Sequence, residues 1–346
     1  MATPSPAEGS AQDRSALIAA ELYYMQDLTM DTIARELHTS RSTVSRLLQR
    51  ARTTGLVTIR IHGPSEQSVR LRQAIRDDFG VSAYLVPVPE RIPDVDRLER
   101  VATSAARILD RFIESNMTVG VAWGATVNAV SRHLTPRPLQ GTEFIQLNGA
   151  GNTFTTGVGY TSEILRRFGE AFTSAVEDFP VPAFFDDPVT KKALWRERSI
   201  ARVLAKRRRM SIALFSVGAP DASVPSHVYA GGYLDAADRA ALFSDGVAGD
   251  AATVFYRADG STSGIRINER ASGPDLDELR QTPRRICVVS GPSKVESLRG
   301  ALAAELITDL VIDEQTAREL LAAPRPRRPA PEQAGRMESL AAHGAR

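Results

Sequence analysis

Cysteine is nearly absent from this 346-residue chain: Cys287 stands alone, so no internal disulfide can form. It sits in the apolar run Ile286 to Val289, which reads as a strand, and this places it in a core as a buried thiol of a cytoplasmic protein. No apolar run approaches the ~20 residues of a membrane span, so no membrane partner is expected. Histidines are few and dispersed (38, 62, 133, 227 and 343), without the spacing of metal ligands, so neither a metal nor a cofactor is expected. Lysine is scarcer still, confined to Lys191, Lys192, Lys206 and Lys294, so arginine carries almost all the positive charge and each lysine can be examined singly. The net charge of +2 is too small for a protein coated in nucleic acid, so the placement of charge matters more than its sum.

That placement is uneven. Residues 29 to 61, TMDTIARELHTSRSTVSRLLQRARTTGLVTIRI, carry five arginines after Ser40 (41, 46, 50, 52 and 60) and no acidic residue there. Thr29 is a helix cap ahead of the apolar face Ile33, Ala34 and Leu37. A tight turn follows at His38 and Thr39, and Ser40 caps a second helix with Val44, Leu47, Leu48 and Ala51 on one side. Gly55 ends that helix, and Leu56 to Ile61 alternates as the strand of a wing. The second helix turns Arg41, Ser42, Ser45 and Arg46 outward, residue types that bond base edges and phosphates from a major groove. This is a winged helix-turn-helix. Arg41, Ser42 and Arg46 are expected at base edges, with Thr43, Ser45, Arg50 and Arg60 on phosphates. A preceding helix, Ser15 to Gln26, is expected to pack beneath it through Leu17, Ile18, Leu22 and Tyr23 or Met25.

The domain expectations run in order. Residues 1–14 read as a flexible tail, 15–63 as the DNA-binding domain, 64–81 as a linker helix (about Glu66 to Phe79), 82–322 as a second, larger domain, and 323–346 as a second tail. In 82–322, strand-like runs alternate with helical patterns. Strands are expected at 83–88, 118–122, 143–147, 210–217, 251–256, 285–290 and 310–312, with helices at 94–114, from 124, 160–168, 190–205, 295–304 and 314–320. Such alternation predicts an α/β fold with a mostly parallel, doubly wound, Rossmann-like sheet.

Ligands of open α/β sheets bind beyond the carboxyl ends of the strands. Four strand-to-helix junctions suit that task. Gly124, Ala125 and Thr126 offer amides and a hydroxyl at a helix start. Asn148 to Asn152 permits close backbone approach at Gly149. Ser216 to Asp221 closes another strand, and Ser290 to Lys294 brings a lysine to a helix start. Enzyme signatures are not found: GAGNTFTTG lacks the third glycine of a dinucleotide fingerprint, GPSK is no phosphate loop, and no G-x-S-x-G elbow occurs. Asp186-Asp187, Asp250 and Asp259 have no nucleophile paired with them.

From about residue 15 to 322 the chain resembles the SorC family of bacterial transcriptional regulators, the DeoR-type sugar-binding regulators. The residues that carry the resemblance are TIARELHTSRSTVSRLLQRARTTGLVTIRI, VGVAWGATVNAV, FIQLNGAGN, GVAGDAATVFYRADG and VVSGPSKVESLRGALAAELITDLVIDEQTARELL. It implies an effector domain resembling sugar-phosphate isomerases, used as a sensor rather than a catalyst. It further implies a sugar, sugar phosphate or polyol effector and a homodimer or homotetramer on operator DNA. By motif position Gly124, Ala125 and Thr126 would line the pocket, with Asn148, Gly149 and Lys294 near it. Gly249, Asp250, Asp259 and Gly260 match a second family motif that would close it. Two departures stand out: Pro292 and Ser293 where the family has a second glycine, and Ala125 where it often has a polar or basic residue. Both leave an unphosphorylated effector open. With no lysine near Thr126 or in the Asn148 loop, binding is expected to be non-covalent. The rival readings are a sugar-phosphate isomerase-like enzyme fused to a DNA-binding domain, and an effector-independent DNA binder.

Overall fold

The computed structural model describes residues 6–57, 66–220, 222 and 226–323, and falls into two units, Met1–Ser65 and Glu66–Arg346. The first unit is helical: α1 (Pro6–Tyr24), α2 (Met30–Glu36) and α3 (Arg41–Thr53). Its core is Ala16, Ala19, Ala20 and Leu22 of α1 against Ile33, Ala34, Val44, Leu48 and Ala51. The expected face of α1 is therefore corrected. Leu17 and Ile18 are 40% exposed and Met25 is 81% exposed, because alanines form the contact stripe and let α1 lie close on α3. Residues 6–14, expected within a flexible tail, belong instead to α1.

The second unit opens with α4 (Glu66–Phe79), then β1 (Ser82–Val86), α5 (Asp94–Leu109), β2 (Thr118–Val121), α6 (Ala125–Ser131), β3 (Glu143–Gln146), α7 (Val158–Phe172) and β4 (Ala175–Glu177). There follow α8 (Pro188–Leu194), α9 (Arg198–Arg207), β5 (Ile212–Phe215), β6 (Val217–Gly218), α10 (His227–Ala230), α11 (Ala236–Ser244), β7 (Val247–Ala251) and β8 (Val254–Arg257). The last elements are α12 (Leu276–Arg280), β9 (Arg284–Val289), α13 (Val295–Ala303), β10 (Asp309–Asp313) and α14 (Glu314–Ala322).

Seven strands form one sheet in the order β1-β10-β9-β5-β2-β3-β4, every pair parallel. Because side chains alternate across a sheet, β9 sends Ile286 and Val288 into one apolar layer and Cys287 and Val289 into the other. The first layer holds α5, α6 and α7; the second holds α13, α14 and Ile75 of α4. Helix α4 thus belongs to the sheet unit rather than standing apart as a linker: Ile75 is fully buried there, whereas Val69 is half exposed. The chain reverses direction across the sheet between β2 and β5, which face each other after opposite excursions, and this opens a crevice at their carboxyl ends.

Three sequence expectations change form. The helix expected over 190–205 is two, α8 and α9, broken at Trp195–Glu197. The strand expected over 210–217 leaves the main sheet at Ser216, and β6 joins β7 and β8 in a small antiparallel sheet. The strand expected over 251–256 is the tip of a hairpin, with Ala252 and Thr253 at φ 48° and 70°. Two positive φ values make the tight hairpin turn, normally an Asn-Gly task. The Thr253 amide, donating to Asp250 Oδ2 at 3.1 Å, holds that turn here.

Candidate functional site

In the helical unit the capping signals place the outward residues. The Thr29 hydroxyl accepts the Thr32 amide at 3.2 Å, and Ser40 Oγ accepts the Thr43 amide at 3.1 Å. His38, at φ 50°, makes the turn between α2 and α3. With Val44, Leu48 and Ala51 buried, the opposite side of α3 leaves Arg41, Ser42, Ser45 and Arg46 exposed and Thr43 half-buried. Arg46 Nη2 leans on Thr43 Oγ1 at 3.4 Å. Arg50, expected on a phosphate, also donates through Nε to Asp13 Oδ1 of α1 at 2.7 Å, which ties α3 to α1. The wing strand beyond Val57, with Arg60, lies outside the described residues.

In the sheet unit, the crevice of about 740 Å³, open mouth included, is lined by Gly124, Ala125, Thr126, Asn148, Asp250 and Lys294. They come from three strand ends and one hairpin, brought together as the sequence reading expected. Gly149 and Asp259 do not line it. Gly149 is a packing glycine: its amide donates to Ser272 Oγ at 2.9 Å, its carbonyl accepts Trp123 Nε1 at 2.8 Å, and a side chain there would strike the carbonyls of Val181 and Pro182. Asp259 shapes the turn after β8: the Ser261 hydroxyl and, at 2.9 Å, the Ser261 amide donate to it and hold its carboxyl below the usual range.

The polar groups of the crevice are deeply buried. Asp250 is 4% exposed, and burial pushes its pKa up to about 6 despite the nearby Lys294 charge. Its Oδ2 accepts the Thr253 amide, and the Tyr229 side chain also hydrogen-bonds the carboxyl. Asn148 is 1% exposed, and its Oδ1 is without a hydrogen bond among the described residues. Lys294 ends a 3-10 turn ahead of α13 and is 8% exposed. Burial lowers its pKa, and Cys287 and Asp250 oppose that shift. The Lys294 ammonium reaches Ser216 Oγ at 3.5 Å. Burial also pushes the Cys287 thiol up to about 12, so it is un-ionised. Buried polar atoms need polar partners, and the Asp250 carboxyl, Asn148 Oδ1 and Lys294 ammonium bring acceptors and a donor to one crevice.

Ser216, Ser226, His227 and Thr253 also line the wall. His227 stacks on Tyr160 at 5.2 Å, and burial lowers its pKa. Sequence reasoning passed over His227 because it begins a four-residue helix with no periodic signal. Thr253 was read as mid-strand. Among the described residues no group of three or more His, Cys, Asp or Glu is arranged for a metal ion, and no helix is long and apolar enough to cross a membrane.

Comparison with known proteins agrees with this division. Residues 64–322 match the family described as "Putative sugar-binding domain", and residues 12–65 match the MarR family. The chain is 33% identical over 306 residues to the deoxyribonucleoside regulator of Bacillus subtilis (strain 168), covering 88% of this chain and 96% of that one. It is 27% identical over 323 residues to the sorbitol operon regulator of Klebsiella pneumoniae, covering 91% and 99%. Among solved structures, a domain of a possible sugar-binding transcriptional regulator from Arthrobacter aurescens TC1 is 53% identical with a TM-score of 0.71, covering 76% of this chain and all of that one. The full-length sorbitol operon regulator SorC from Klebsiella pneumoniae is 25% identical with a TM-score of 0.66, covering 90% and 99%. With a helix-turn-helix unit ahead of a sugar-binding-family α/β unit that spans most of its length, this chain belongs to the SorC family of transcriptional regulators.

Proposed function

We propose that this protein binds operator DNA through α3 and releases or re-engages it according to a sugar, sugar phosphate or polyol held in the crevice. One observation carries the reading: the buried Asp250 carboxyl, Asn148 Oδ1 and Lys294 ammonium line a single crevice. Asp250 and Asn148 accept hydrogen bonds from ligand hydroxyls, and Lys294 donates to a hydroxyl or phosphate oxygen. Gly124 and Ala125 supply backbone beside the Thr126 hydroxyl. At φ 140°, Gly124 caps α6 without a side chain in the way. On DNA, Arg41, Ser42 and Arg46 read base edges while Thr43 and Ser45 hold phosphates. The protein acts as a homodimer or homotetramer, so that a ligand favouring one arrangement of subunits changes half-site spacing.

A ligand shifts operator affinity only through unequal affinity for the two arrangements. The test is a titration of operator DNA with the purified full-length protein, with and without a sugar phosphate that stabilises it. The account expects a change in affinity of roughly 5–150-fold. Equal affinity and stoichiometry in both titrations would sink it.

One observation favours a second reading, an isomerase-like enzyme: Asp250, with its pKa near 6, is poised as a general base is. Turnover of a sugar phosphate that disappears in Asp250→Asn would establish it. The regulator reading stands ahead because the relatives matched over nearly their whole length are regulators.

A further inference from the structure

One carboxylate joins the crevice wall to α14 and, through its neighbour, to α4. Asp313, fully buried at the end of β10, accepts four hydrogen bonds. Oδ1 takes Arg97 Nη1 at 2.9 Å and the Thr316 amide at 3.0 Å; Oδ2 takes Thr316 Oγ1 at 2.7 Å and the Gly291 amide at 3.1 Å. The Gly291 bond matters most here. Gly291 sits at φ 97° between Ser290 and the 3-10 turn that ends at Lys294, and Ser290, Ser293 and Lys294 all line the crevice. The same carboxylate is the N-cap of α14. The next residue, Glu314, accepts a hydrogen bond from Ser68 Oγ of α4 and an ion pair from Arg318 at 3.4 Å. Ser68 is itself buried, and α4 is the first element of the sheet unit in chain order.

We infer that the Asp313–Glu314 junction transmits occupancy of the crevice to α4. The inference rests on reading the crevice as the effector site. A ligand that draws the Ser290–Lys294 turn toward itself pulls the Gly291 amide against Asp313. Asp313 is committed in the same instant to the cap of α14, so a shift of the turn shifts the first turn of α14 and with it Glu314. The Ser68–Glu314 bond then registers that shift on the helix that follows the DNA-binding unit in the chain. Arg97 keeps the junction discrete rather than soft, because it is 4% exposed and its guanidinium spans Asp313 and Gln315 (Nη2 to Oε1, 3.0 Å). Buried hydrogen-bonded networks of this kind switch between arrangements rather than deform smoothly.

Hydrogen exchange of the full-length protein without ligand tests this path, comparing the natural chain with Ser68→Ala. Losing one half-buried hydrogen bond should raise exchange about fivefold at the amides it supports. The inference expects that rise in the 289–294 peptide as well as in α4 and α14. Arg70→Ala, on the exposed side of α4 and paired among the described residues with Glu66, serves as control and should leave the 289–294 peptide unchanged. Glu314→Ala, which removes the acceptor of the Ser68 bond, gives a second variant that should reproduce the Ser68→Ala pattern. Faster exchange confined to α4 and α14, or no change at all, overturns the inference. Because no ligand is used, either result leaves the effector reading itself untouched.

Discussion

The Arg97 guanidinium and the Asp313 carboxylate meet at 2.9 Å with both side chains almost wholly out of water, at 5% and 0% exposure. Removing one partner of such a pair strands the other charge in a low dielectric. Arg97→Ala should therefore cost about 3–5 kcal/mol of the sheet unit's stability. Urea unfolding followed by far-UV circular dichroism measures it. A loss of under ~1 kcal/mol, the range of an exposed pair, would contradict the burial assigned to Asp313.

Asp250 makes a prediction with a definite sign. Its folded pKa lies near 6 against an ordinary 3.8, so the folded chain holds this proton more tightly than the unfolded chain. Ionisation is then a penalty on folding, absent below pH ~4, growing between pH ~4 and ~6, and complete above, at about 3 kcal/mol in all. Other carboxylates with lowered pKa values, Glu99 and Glu143 among them, drive stability the opposite way, so the readout is a difference between two proteins. Ligand-free Asp250→Asn should gain stability over the natural chain as pH rises from 4 to 7. A constant offset across that range would show that Asp250 does not titrate there.

Gly218 lies against the Asp250 carboxyl, where an added Cβ would collide with Oδ1. Gly218→Ala should displace that carboxyl, cost about 1–3 kcal/mol and weaken any crevice ligand. Calorimetric titration checks the ligand; undiminished binding would remove Asp250 from the site.

On the DNA side, Arg46→Ala should cost roughly 1–3 kcal/mol and relax discrimination between operator and mismatched duplex. Arg50→Ala should leave that discrimination intact, since its guanidinium is already engaged by Asp13. Binding of both duplexes at one fixed salt concentration separates the two cases. A larger specificity loss for Arg50 than for Arg46 would reverse the assignment.

Much of this architecture was legible before the structure. Capping residues such as Thr29 and Ser40 act on neighbours three positions away, so their spacing alone located α2 and α3. The buried runs around Phe144, Leu214, Val288 and Val311 announced a parallel sheet, and its rules put the Gly124, Asn148 and Lys294 junctions at one end. Contacts distant in sequence escaped. Nothing local tells that Arg50 turns to Asp13, that alanines rather than Leu17 and Ile18 line α1, or that Asp259 stays in its own turn. The hairpin at Ala252–Thr253 hid because residues with a Cβ adopt a backbone usually left to glycine, held there by Asp250.

The most direct test of the central claim is thermal unfolding of the full-length protein against a panel of sugars, polyols and their phosphates. A ligand at 100 times its Kd adds about 2.7 kcal/mol and raises the midpoint measurably. The account predicts that at least one member does so, and that the rise disappears in both Asp250→Asn and Lys294→Ala. A flat panel, or a rise that survives both substitutions, would contradict it.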